Sequence, residues 1–195
     1  MSLTAEEIEK SFNKYRALCE KLGPRSTDAL ALVDGLGERL ALCPASGKKD
    51  YHNAFPGGLV DHSLRVLGNA MTYVKSMGWT VPKDSLIISC LFHDLGKVGD
   101  HEKDYYVLAE DWQAKRGELY SYNREIDHMS VPHRGVFLCN HYGLKLTRDE
   151  TLAILLNDGW VVEENKQYCL KEPLLAHVVM TADYVSTMQE KGRFP

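Results

Sequence analysis

The chain has five cysteines (Cys19, Cys43, Cys90, Cys139 and Cys169) but no C-x-x-C pair among them, and their number is odd. Both facts argue against a disulfide framework and against a thiolate zinc knuckle, so a reducing, cytoplasmic setting is expected. There is no excess of basic charge: 23 Lys and Arg against 27 Asp and Glu give a formal net charge of -4 and a pI near 6.1. No global positive field therefore draws the protein onto nucleic acid or an anionic membrane. No apolar run approaches the length of a membrane span, and the first residues are acidic where an export signal would be basic and then apolar. What remains is 195 residues, 44% hydrophobic and 26% charged, enough for one substantial core and far from the composition of a disordered chain. One domain over residues 1–195 is expected.

Helical spacing dominates the pattern. Thr4-Ala5-Glu6-Glu7 reads as a capping box, followed by Ile8, Phe12, Tyr15, Leu18 and Leu22 up to Gly23-Pro24. A second helix is predicted from about Ser26 to just before Pro44, and a polar, glycine-rich loop runs from Pro44 to Gly58. The third carries Leu59, Val60, Leu64, Leu67, Met71 and Val74 on one stripe, and a fourth, almost wholly apolar, runs from about Lys83 to Leu95 behind Pro82. Residues Gly99 to Asn123 read as a long surface excursion holding one helical turn, and loops of that length often carry function. Helices resume near His128, after Thr147, whose Thr147-Arg148-Asp149-Glu150 is a second capping box, and after Pro173. Trp160, Val162, Tyr168 and Leu170 allow one short β-hairpin around Glu164-Asn165. The expected class is all-α: a compact helical bundle with long loops over one end.

Against this apolar background a few residues are misplaced. Ser89 to Val98 read SCLFHDLGKV, so a histidine and an aspartate close a buried helix. With eight His and thirteen Asp in the chain, roughly half of one His-Asp dipeptide arises by chance, and the pair needs partners to mean anything. His62 on the third helix and Asp183 on the last are hydrophilic residues on equally apolar helices. Burying an unpaired carboxylate is costly. A divalent metal held by His62, His93, Asp94 and Asp183, projecting from facing helices, would satisfy all four at once. Successive helical residues point about 100° apart, so His93 and Asp94 reach one ion only from a helix end, where Gly96 places them. A hydrogen-bonded core cluster without metal is the plainer alternative.

The order His62, His93-Asp94, Asp183 resembles the H…HD…D pattern of the HD-domain superfamily of metal-dependent phosphohydrolases. HNAFPGGLVDHSLRVL (His52 to Leu67), IISCLFHDLGKV and MTADYVSTM (Met180 to Met188) are similar to the stretches that surround those motifs. The likeness extends from His52 to Glu190 and is nearest to small stand-alone phage and bacterial HD proteins and to the HD domain of 3'-5' exoribonucleases. It implies an HD-type bundle and a divalent cofactor, with Mn, Fe, Co, Ni, Mg and Zn all compatible with the ligand set. It also implies that Lys97, in His-Asp-x-x-Lys, faces a substrate phosphate. The 5'-deoxynucleotidase subtype has a glutamate there, and the glycine-tyrosine-proline signature of cyclic-dinucleotide phosphodiesterases is missing. His128 corresponds to an extra ligand that gives some members a second metal, and Asn157-Asp158 lie where some relatives have paired histidines.

The chemistry so implied is hydrolysis of a phosphoester or phosphoanhydride, with Asp94 and Lys97 as catalytic groups and His52, Arg134 and Lys115 as candidate substrate contacts. A nucleotide is the expected small phosphorylated substrate. The 3' end of a short single strand, which the acidic balance does not favour, is the alternative. Two rivals from other classes are a di-iron oxygenase on the same fold, which needs more histidine ligands, and a non-catalytic interaction module that keeps its metal for structure.

Overall fold

A computed structural model describes residues 2–195. Thr4 caps α1 (Ala5–Cys19) reciprocally: its hydroxyl accepts from the Glu7 amide at 3.3 Å, and the Glu7 carboxylate accepts from the Thr4 amide at 2.8 Å. A 3-10 turn at Gly23–Arg25 leads into α2 (Ser26–Leu42), which kinks at Gly37, where φ is +46°. Only glycine takes that backbone conformation without strain. Then come α3 (Gly58–Met77), α4 (Lys83–Phe92), a 3-10 turn at Leu95–Lys97, β1 (Tyr106–Leu108), α5 (Asp111–Ala114), β2 (Tyr120–Tyr122), α6 (Val131–His141), α7 (Arg148–Leu155) and α8 (Leu174–Glu190). The protein is mostly α, as its periodicity indicates. Among the described residues no helix is long and apolar enough to cross a membrane.

The core explains the order. α4 is buried along residues 85–92 and is wrapped by α1, α3, α7 and α8, while α8 also packs along α3 and α7. The Tyr15 hydroxyl, fully buried, donates to the Leu91 carbonyl at 2.6 Å and so pins α1 to the end of α4. That end comes three residues earlier than the apolar pattern suggests. The chain leaves the α conformation at Asp94, and the 3-10 turn that follows lies flat on the start of α6: a methyl group on Gly96 would sit 2.0 Å from the Val131 carbonyl oxygen. Four cysteines are buried and Cys169 is exposed.

One expectation about an irregular segment fails. No hairpin forms around Glu164-Asn165; the segment folds as 3-10 turns Gly159–Val161 and Glu163–Tyr168. Asn165 donates from its side chain to the Gly159 carbonyl at 3.0 Å and closes the loop on itself, leaving Val161 and Leu170 90% and 92% exposed. Of the alternating residues, Trp160, Val162 and Tyr168 are half-buried and only Leu170 faces solvent, and no strand is among the elements of this segment. The hairpin lies instead in the excursion, where β1 and β2 pair antiparallel as Tyr106↔Tyr122, Val107↔Ser121 and Leu108↔Tyr120, with the expected single helical turn, α5, between them. The stacked rings of Tyr106 and Tyr122, 5.9 Å apart, supply the cross-strand contact.

Candidate metal centre

Three helices bring the four polar residues together. α3 carries His62 in its second turn, α4 delivers His93 and Asp94 at its end, and α8 contributes Asp183 from mid-length. Both imidazoles are fully buried. Each has its Nδ1 edge tied to a group that can only accept. The His93 Nδ1–H donates to the Cys90 carbonyl at 2.8 Å, one of the carbonyls that a helix end leaves free, and the His62 Nδ1–H donates to both oxygens of Glu190 at 3.1 Å. The Nε2 atoms consequently face each other's neighbourhood, buried and without a hydrogen-bond partner.

Two carboxylates close the ring. Asp183 Oδ1 lies 3.0 Å from His62 Nε2 and 3.8 Å from His93 Nε2; Asp94 Oδ2 lies 3.4 Å from His93 Nε2 and 3.8 Å from His62 Nε2. Although close, these pairs are off the hydrogen-bond direction, and they form two overlapping groups that share His62, one with His93 and Asp183 and one with His52 and Asp94. Donor atoms about 2.1 Å from one ion are about 3.0 Å apart at a right angle and about 3.4 Å at the tetrahedral angle. Orphaned imidazole nitrogens beside two acidic oxygens therefore fit a divalent ion, and His62, His93 and Asp183 have ligand atoms mutually close enough to share one.

The charges reinforce one another. Burial opposes protonation of His62, but the Asp183 and Glu190 carboxylates beside it outweigh burial and raise its pKa to about 10, so its Nε2 edge calls for positive charge, supplied by a proton or by a cation that displaces it. Burial also works against ionised Asp94 and is overcome by Lys97, His93 and His62, which hold the carboxyl well below its usual range. Lys97, 2.5 Å from Asp94 Oδ2, is in turn held above the ordinary lysine value by Asp94 in spite of burial. His52 behaves oppositely: burial, then the neighbouring His62 and Lys97, push it down to about 3, so its imidazole is neutral.

A cavity of about 960 Å³ opens beside this cluster. His52 and Lys97 line its inner end, and Ser46, Tyr51, Trp112 and Tyr120 are among its walls, drawn from the loop before α3 and from the β1–β2 excursion. Ser46 fixes the loop by donating to the His52 carbonyl at 2.6 Å. The His52 ring is 4.7 Å from that of His62, its Nε2 is buried without a partner, and it forms a second metal-competent group with His62 and Asp94.

Other residues singled out in the sequence lie elsewhere. His128 is exposed and belongs to neither metal-competent group among the described residues. Lys115 is exposed at the end of α5 and does not line the cavity. Arg134 is a correction, because only 2% of it is exposed and its guanidinium donates to the carbonyls of Gly96, Asp127 and Met129 while packing over the Tyr105 ring. It fixes the 3-10 turn of Lys97 to α6 and is not free for substrate. Two neighbours are not among the predicted ligands or substrate contacts, although the resemblance places Asn157 where some relatives have paired histidines. Asn157 is buried with its amide 3.5 Å from Asp94 Oδ1, and no local spacing marks it. Glu190 follows Asp183 by seven residues, about 700° of helical rotation and so the same face, a signal that was legible.

A family model described as HD domain matches residues 59–188, two thirds of the chain. No curated protein and no solved structure matches it.

Proposed function

The chain belongs to the HD-domain family, and from that premise we propose that it is a metal-dependent phosphohydrolase acting on a nucleotide through His62, His93, Asp94 and Asp183. The observation that carries the reading is the pair of buried Nε2 atoms on His62 and His93, unpartnered and faced by two carboxylates. A divalent ion, when bound, supplies a Lewis acid for a phosphoryl oxygen and a water of lowered pKa.

The protein's own groups do the rest. Lys97 lies on the cavity side of Asp94, which puts a fixed ammonium where a phosphoryl group beside the cluster would gather charge. Asp94 orients that ammonium with Oδ2, and Asn157 holds its other oxygen. Neutral His52 offers a hydrogen bond at the inner end of the cavity, not a second positive charge. A cavity of about 960 Å³ suits one small ligand, and the rings of Tyr51 and Trp112 give a base something to lie on. Together with the net charge of -4, this favours a mononucleotide over a strand.

The test is metal analysis of the purified protein followed by a phosphoester panel containing all common nucleotides and a labelled oligonucleotide, run beside Asp94→Ala. Release of phosphate from a nucleotide by the wild type, lost in the variant, is expected. Full metal content and full activity in Asp94→Ala would overturn the assignment.

A further inference from the structure

We propose that Glu190, the last residue of α8, is a positioning residue of the metal centre that sets the orientation and basicity of His62. The inference rests on the reading of His62 as a metal ligand and concerns a residue outside the matched segment 59–188.

Glu190 is an unusual place for a carboxylate. Its side chain is only 1% exposed, yet it sits in the final turn of a helix, where an acid would ordinarily reach water. A carboxyl group buried to this degree needs hydrogen-bonding partners. They are His62 Nδ1, at 3.1 Å from both oxygens, and Arg65 Nε, at 3.2 Å from Oε1. Arg65 is 43% exposed and could pair with an acid at the surface. Glu190 instead turns inward and spans the edge of the imidazole.

The seven-residue interval from Asp183 makes this arrangement possible. One face of α8 places Asp183 at the Nε2 edge of His62 and Glu190 at the Nδ1 edge, so a single helix grips the ring from both sides. The last turn is kept from fraying by Asn69 on α3, whose side-chain amide donates to Ser186 Oγ at 2.8 Å and to Gln189 Oε1 at 2.9 Å. Arg65 continues the chain of contacts to Asp61 at 3.4 Å, and Asp61 accepts from Asn53 at 3.0 Å, next to His52 in the loop that lines the cavity. The ring and the loop are thus registered to each other through charged groups.

Chemically, an acceptor on Nδ1 keeps that proton in place, leaves the lone pair on Nε2 and makes it a stronger donor to a cation. Partners of this kind are worth about 10–100-fold in metal affinity. Titration of the full chain with Mn²⁺, following free ion by electron paramagnetic resonance, tests the assignment with Glu190→Ala, Glu190→Gln and Asn69→Ala. Glu190→Ala is expected to weaken Mn²⁺ binding about 10–100-fold, and Glu190→Gln, which keeps an oxygen for the Nδ1 proton, to recover most of the loss. Asn69→Ala loosens the same turn, so it is expected to lower the apo melting temperature with less than about a threefold change in affinity. Wild-type binding with Glu190→Ala unchanged would overturn this proposal alone, as would an equal loss in Asn69→Ala. A wild type that takes up no divalent ion would overturn the metal reading and this proposal with it.

Discussion

The two ends of α4 carry two buried charged clusters built on opposite terms. At its start, Arg25 donates to both oxygens of fully buried Glu150 at 2.9 and 2.8 Å and to Asp84 at 2.7 Å, while the second oxygen of Glu150 also accepts the Thr147 amide at 2.8 Å. Lone pairs and protons match, and the starts of α2, α4 and α7 are stitched together. At its other end, some 15 Å away for a ten-residue helix, His62, His93, Asp94 and Asp183 lie side by side with imidazole nitrogens left over. Both clusters are polar, hold a buried carboxylate and are made by distant parts of the chain. Only the second has unmet bonding capacity, and that difference is what marks it as the candidate ligand site.

Substitutions should keep the two ends distinct. The largest effect is expected from Asp94→Ala, which should lower kcat/KM of the proposed phosphohydrolase activity at least about 10³-fold, on the order of 4 kcal/mol; steady-state assays on the best nucleotide of the panel check it. Glu150→Ala should do the reverse, costing about 3 kcal/mol in urea unfolding because Arg25 loses its buried partner, with Mn²⁺ affinity unchanged. A fall in affinity there would show the two ends to be coupled through α4. Gly96→Ala should cost about 2 kcal/mol of stability, since its methyl group meets the Val131 carbonyl, and should lower activity as well by displacing Lys97.

The smallest effects concern charge at the exposed margins. Arg25 holds the Asp84 carboxyl below its ordinary 3.8. A depressed acid contributes stability above its unfolded pKa and loses it as pH falls through the folded value. Asp84→Asn should therefore remove a shallow loss of stability below about pH 4, worth under about 1 kcal/mol because solvent screens the pair; urea curves across that range measure it. Lys115→Ala and His128→Ala should leave activity within about twofold of wild type.

The helices were legible because their signals are local: capping boxes at Thr4 and Thr147, Pro82 and Pro173 before α4 and α8, and apolar stripes with a single period. The convergence of His62, His93, Asp94 and Asp183 was legible for a different reason, that a polar residue on an all-apolar helix face requires a partner. Where those conditions lapse, reading failed. Trp160, Val162, Tyr168 and Leu170 have strand-like alternation but no strand beside them, whereas Tyr106 and Tyr122 find each other across a sequence that alternates poorly. Arg134 could be ranked only by residue type and His128 only by a loosely spaced resemblance, and tertiary contacts put the first into backbone carbonyls and the second into solvent. Asn157 acts through one contact formed by folding alone, which no spacing announces.

The distribution of thiols has a practical consequence. Burial pushes Cys19 and Cys139 up to about 12 and Cys43 and Cys90 higher still, which leaves them protonated and unreactive toward electrophiles at neutral pH. Cys169 alone is exposed, at the end of the 3-10 turns between α7 and α8. A maleimide should therefore attach one probe per chain without any engineered cysteine. A nitroxide placed there would turn the unmodified protein into a ruler, with Mn²⁺ at the other end of the measured distance.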